Sequence, residues 1–318
     1  MTDSDGESVI ELRGLTKDFQ IGFLKKRTVR ALDNLDLTVA RGEIFGFLGP
    51  NGAGKTTTLK LLMNLIFPTA GSARILGRSV EDTATRARIG YLPENPYFYD
   101  YLTGRELLNY TAALFGISPG GTKKRSEQLL RMVGLTSEQA DRQLRKYSKG
   151  MLQRIGIAQA LVNDPEVVFM DEPMSGLDPM GRREVRDLLL SLGERGKTVF
   201  FSSHILSDVE TLCDRAAILN QGKLVQCGTV EELTGGKQST LEVIAKGVES
   251  SAVGALLENV PHVVSVNPTP NGVHIILSDD TGLEATISFI RSRGGKLVSV
   301  NASRASLEDV FFNAERRL

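Results

Sequence analysis

Short apolar runs separated by longer amphipathic stretches set the pattern of this chain. Residues 9–12, 44–48, 167–170, 199–202 and 216–219 are compact apolar runs and predict strands. Between them, residues 59–66, 183–192 and 207–213 carry apolar side chains at helical spacing. Strands alternating with helices predict an α/β domain with a largely parallel sheet. Residues 97–150 depart from this rhythm. They are helix-rich with no strong strand, and Gly116, Pro119 and Gly120-Gly121 read as breaks, which predicts a helical insertion.

A second shift comes at Thr234-Gly235-Gly236-Lys237. Beyond it, residues 241–245 predict a strand, 250–258 a helix, 263–266 and 273–277 two strands about a turn at 268–272, and 296–300 a last strand. Leu283, Ile287 and Ile290 lie at helical spacing, with Gly294-Gly295 ending that helix. The order βαββαβ is that of a ferredoxin-like α+β unit. The expected organisation is therefore a domain at 1–236 and an accessory α+β domain at 237–318.

Composition narrows the class. Of 318 residues, 41% are hydrophobic and 24% charged, with Lys+Arg 38 against Asp+Glu 38. Balanced charge gives no reason to expect a nucleic-acid partner. No apolar run approaches the ~18 residues that a membrane helix needs. The acidic, polar start at residues 1–8 is unlike a secretory signal. Cys213 and Cys227 lack CxxC spacing, as expected of apolar filler in a reducing compartment.

The chemistry concentrates in two places. Gly49-Pro50-Asn51-Gly52-Ala53-Gly54-Lys55-Thr56 fits G-x-x-x-x-G-K-[ST], follows the strand at 44–48 and opens an apolar helix from Thr57. Glycines 49, 52 and 54 are expected at φ > 0, turning N–H groups toward phosphate oxygens at a helix N-terminus. Lys55 is expected to reach the terminal phosphates of a nucleotide and Thr56 to ligate magnesium. The strand at 167–170 ends in Asp171-Glu172, and carboxyl ends of strands carry the active groups of open α/β sheets. Asp171 is the expected magnesium ligand, and Glu172 the group that orients and deprotonates an attacking water. His204 ends a further apolar strand and is placed to bond a γ-phosphate.

The segment Lys146-Tyr147-Ser148-Lys149-Gly150-Met151-Leu152-Gln153-Arg154 precedes a helical pattern, and there the chain resembles the ATP-binding domain of ABC transporters. The resemblance covers roughly residues 8–235 and implies an α/β P-loop NTPase fold with the helical insertion. It places Phe19 as an adenine-stacking aromatic, Glu94 at the Q-loop as a magnesium contact, Ser175-Gly176-Leu177-Asp178 as the D-loop and His204 as the switch histidine. It also implies that Ser148 and Gly150 complete the ATP site of a second subunit, which makes a homodimer the expected assembly. The chain departs from the family pattern at Lys149, where a glycine is usual, at Met151, and at Glu94, where glutamine is usual. A carboxylate accepts hydrogen bonds but cannot donate as an amide does. The resemblance implies an ATP-hydrolysing subunit using ATP and Mg2+. It would energise transport, in the export direction, through a separate integral-membrane permease, and would sit on the cytoplasmic face of the membrane. The alternative is a soluble ABC ATPase acting on nucleic acid or ribosomes. The single phosphate loop, absent heptads and balanced charge argue against it. The aromatic run Tyr97, Phe98, Tyr99 and Tyr101 is expected to expose at least one or two rings, because consecutive rings cannot all face one core.

Overall fold

A computed structural model describes residues 7–22, 27–234, 240–248, 260 and 262–303, and divides the chain into two compact units, Met1–Val230 and Glu231–Leu318. The expected helix at 250–258, the glycines at 235–236 and the tail beyond 303 lie outside the described residues.

The first unit holds two sheets. One is antiparallel, in the order β2-β1-β4-β5, from β1 (Ser8–Ile21), β2 (Arg27–Ala40), β4 (Ala70–Ile75) and β5 (Arg78–Ser79). The other has the order β10-β9-β3-β8-β7-β6, from β3 (Ile44–Leu48), β6 (Ile89–Leu92), β7 (Val167–Asp171), β8 (Thr198–Ser203), β9 (Arg215–Asn220) and β10 (Lys223–Thr229). Only β10 runs antiparallel in it. All residues of β3, β7 and β8 are buried, as a parallel strand covered on both faces requires. Phe45, Phe169 and Phe200 meet across these three strands, with centroids 5.5 and 5.7 Å apart. They join Leu12, Leu15, Leu35 and Leu37 of the antiparallel sheet in one core. At about 1.5–3 kcal/mol for each such side chain, this cluster is a main source of the unit's stability.

The six-stranded sheet is the largely parallel one expected, and the antiparallel sheet is an addition to it. Of the added strands only residues 9–12 stood out in the sequence.

The helices are α1 (Lys55–Leu62), α2 (Thr83–Arg86), α3 (Gly104–Leu114), α4 (Pro119–Met132), α5 (Ser137–Ala140), α6 (Lys149–Ala160), α7 (Pro179–Glu194), α8 (Leu206–Leu212) and α9 (Val230–Leu233). The helix expected at 59–66 therefore begins and ends earlier. It stops at Met63, and Asn64 turns the chain away at φ 52. Between β6 and β7 the described elements are helical. Thr103 caps α3 reciprocally with Glu106. Gly116 closes α3 at φ 72, but Pro119-Gly120-Gly121 does not break the chain. It forms the first turn of α4, where proline's fixed φ suits the N1 position.

In the second unit, β11 (Thr240–Lys246), β12 (Val263–Thr269), β13 (Gly272–Leu277) and β14 (Lys296–Ser303) form an antiparallel sheet in the order β12-β13-β11-β14. Helix α10 (Leu283–Ser292) shares a core with Val243, Ala245, Val273, Ile275 and Leu277 through Ile290. This order is that of a ferredoxin-like sheet.

Candidate functional site

Three neighbouring strands, in the order β3-β8-β7, end side by side. Gly49–Thr56 leaves the end of β3, Ser203-His204 the end of β8, and Asp171-Glu172 the end of β7. They open onto a cavity of about 450 Å³, lined in part by Asn51, Lys55, Thr56, Glu94, Glu172 and His204. Pro50, Gly52, Ala53, Gly54 and Thr57 complete the loop's share of the wall, and Ala31 and Ser175 add to it.

The loop's geometry follows from its glycines, with one correction. Gly52 and Gly54 lie at φ 83 and 110. Gly54 caps α1 with no side chain in the way, leaving the first N–H groups of the helix free for an anion. Gly49 is not in the left-handed region as expected. It is required for space, because a Cβ there would lie 2.5 Å from Leu219 O and 2.9 Å from the Ala53 Cβ.

Lys55 is buried at the cavity floor. Its Nζ donates to Gly49 O at 2.6 Å and Pro50 O at 3.3 Å, and stands 3.4 Å from Glu172 Oε1. The other carboxylate oxygen, Glu172 Oε2, is 2.7 Å from His204 Nδ1. Glu172 is thus held between an ammonium and an imidazole, 8% exposed. A carboxylate so fixed beside a phosphate-sized loop can take a proton from water.

Ser202, unremarked in the sequence, organises the acidic pair. Its Oγ donates to Asp171 Oδ1 at 2.6 Å and accepts the Glu172 N–H at 2.9 Å. The clue available was a hydroxyl at the polar end of an apolar strand. The other Asp171 oxygen, Oδ2, is buried without a hydrogen-bond partner. A buried carboxylate oxygen lacking a donor fits a cation, and Thr56, in the first turn of α1, lines the cavity. The donor set of Asp171, Thr56 and Glu94 is all oxygen, which suits Mg2+. Glu94, just past β6, is exposed and faces the same cavity.

Three residues expected at a nucleotide lie outside this cavity, and two of them, Ser148 and Gly150, are those expected at the nucleotide of a second subunit. Phe19, opposite Val29 in β1, is half-buried beneath Lys17 Nζ at 5.0 Å and does not line the cavity. Ser148 and Gly150 do not line it either. Ser148 is exposed and caps α6, its Oγ accepting the Met151 N–H at 3.3 Å.

The comparisons with known proteins agree with this geometry. The ABC transporter family profile matches residues 32–175. An ABC transporter ATP-binding protein of Synechocystis is 46% identical over 97% of this chain and 85% of its own length. The fluoroquinolones export ATP-binding protein of Mycobacterium tuberculosis is 40% identical over 72% of this chain and 73% of its own. Among solved structures, a dimeric post-hydrolysis state of the cassette MJ0796 with ADP and Pi is 26% identical. It covers 69% of this chain and 98% of that one at a TM-score of 0.62. No described helix is long and apolar enough to cross a membrane. With a phosphate loop, Glu172 and His204 converging on one cavity, and with relatives matched over nearly its whole length, this chain belongs to the ABC transporter ATP-binding proteins, the ATP-hydrolysing subunits of those transporters.

Proposed function

We propose that Glu172 is the general base of ATP hydrolysis in this subunit. The observation that carries the reading is the Glu172 carboxylate held 2.7 Å from His204 and 3.4 Å from Lys55 at the mouth of the phosphate loop. Lys55 exchanges its bonds to Gly49 O and Pro50 O for phosphate oxygens, and the N–H groups of residues 51–57 surround them. Glu172 accepts a proton as the water oxygen attacks the γ-phosphorus and ADP leaves. His204 orients Glu172 and the γ-phosphate. Thr56, Asp171 and Glu94 hold Mg2+, which supplies positive charge against the phosphates when bound. Phe19 stacks on adenine. Ser148 and Gly150, at the N-terminus of α6, contact the nucleotide of a second copy, so that two ATP molecules join a homodimer.

The partner is an integral-membrane permease, which holds this subunit at the cytoplasmic face. Export is supported by the name of the fluoroquinolones relative. The docking surface is the aromatic run beside Glu94. Tyr97, Tyr99 and Tyr101 are 97%, 52% and 62% exposed, while Phe98 is half-buried against Gly156. Tyr99 also meets the exposed Tyr110 edge-on at 6.3 Å. Exposed tyrosines on a loop are the expected anchors of a protein interface. The accessory domain, 237–318, regulates the subunit or stabilises its dimer. Among the described residues no His, Cys, Asp and Glu cluster there for metal chemistry.

Glu172→Gln tests the reading. The amide keeps the side chain's size and cannot take a proton, so ATP still binds and turnover falls at least a hundredfold. ATP-dependent dimers then accumulate in size-exclusion chromatography. Turnover at the unmodified rate rejects Glu172 as the base.

A further inference from the structure

The first turns of α6 grip the loop that follows Glu172. Gln153, buried in α6, donates from Nε2 to Pro173 O at 2.8 Å. Gly150 faces Leu177, whose Cδ2 would lie 3.9 Å from a Cβ at 150. Lys149 is laid across Gly176. A Cβ at 176 would fall 2.8 Å from its Cε and 3.4 Å from its Cδ, and would collide with its Nζ. Gly176 itself lies at φ 66. The position therefore takes glycine twice over, for its backbone and for the side chain resting on it. Between these contacts Ser175 lines the nucleotide cavity and donates its N–H to Glu172 O at 3.0 Å.

Among the described residues the Lys149 side chain has no ion-pair partner and no hydrogen bond. Its visible role is steric: the far end of its stem, Cδ and Cε, with the ammonium, roofs a glycine that would otherwise be the freest link in the loop. Where related signatures carry glycine, this chain carries that roof.

We propose that Lys149 is a positioning residue for hydrolysis, one that restrains the loop at 173–177 from α6 and so keeps Glu172 aligned on its water. The proposal rests on Glu172 being the base. A base displaced by about 1 Å loses up to a hundredfold in rate, so a partly loosened loop is expected to lose about tenfold.

The test uses the full chain and steady-state ATP hydrolysis. Lys149→Ala lowers kcat about tenfold, leaves KM for ATP within twofold, and leaves the melting temperature within about 2 °C. Lys149→Met, which keeps the stem and drops the charge, restores kcat to within twofold. Gly176→Ala evicts the lysine and lowers kcat on its own. An unchanged kcat in Lys149→Ala overturns the proposal. So does a loss carried by KM, which would place Lys149 on the nucleotide. A Lys149→Met variant as impaired as Lys149→Ala overturns it as well, since charge and not packing would then be at work. Failure of the base assignment is read separately, from Glu172→Gln turning over normally while Lys149→Ala does not.

Discussion

Ser202→Ala is the most incisive probe of how the acidic pair is held. The Ser202 side chain is fully buried and its Oγ makes two bonds, donating to Asp171 Oδ1 at 2.6 Å and accepting from Glu172 N at 2.9 Å. Removing the hydroxyl takes a charge-assisted bond from Asp171, of about 1.5–3 kcal/mol, and strands the Glu172 N–H, at about 1–3 kcal/mol. Asp171 is already short of partners, because its Oδ2 has none. The combined loss is about 3–5 kcal/mol. In a unit of this size each kcal/mol moves the melting temperature by roughly 2–4 °C, so a fall of about 10 °C is expected. Urea unfolding followed by circular dichroism gives the free energy directly, and turnover should fall with it as Glu172 loses its backbone anchor. Ser202→Cys, similar in volume with a weaker donor, should lie between the two. A Ser202→Ala loss below about 1 kcal/mol would refute the reasoning.

Three further outcomes are expected. Replacing Tyr97, Tyr99 and Tyr101 together with Ala should abolish co-purification with the permease while ATP turnover of the isolated chain stays within twofold; retained binding and transport would remove these rings from the interface. The Glu166 carboxyl is held at about 2, first by the hydrogen bond from Arg88 and then, against burial, by Arg41. Its folded value lies below the ordinary 4.5, so its contribution is complete above pH 4.5 and is lost as pH falls toward 2. The difference in urea midpoint between the wild type and Glu166→Gln should therefore be flat from about pH 8 to 5 and close to zero near pH 2, and a difference that grows on acidification would contradict it. A chain ending at Gly236 should still bind ATP, and a folded truncation without nucleotide affinity would assign the accessory domain a part in the site.

Legibility from sequence followed burial. β3, β7 and β8 are covered on both faces, so each reads as an unbroken apolar run whose polar terminus marks the site. Lys55, Glu172 and His204 were visible for that reason. β2 alternates cleanly only from Leu35 to Val39. Before that, Asn34 at φ 52 and the polar residues around it interrupt the period, and β1 shifts register against it repeatedly. β10 is mostly half-exposed and carries no alternation to find. Ser202 escaped notice because its importance comes from lying opposite Asp171 in the β7–β8 ladder, a register that no local pattern encodes. The Tyr97–Tyr101 run was legible as an anomaly, too many rings for one core, and three of them do face solvent.

The backbone of Glu172 sits at φ 50, a conformation that costs most residues about 1 kcal/mol and glycine almost nothing. Backbone and chemistry therefore want different residues at this one position. Glycine would relieve the strain, about 1 kcal/mol, but would leave the buried Lys55 ammonium without its carboxylate, a loss of about 3–5 kcal/mol. The strained turn is thus held in place by the same pair that readies the base, and a search for heat resistance has no route through this position.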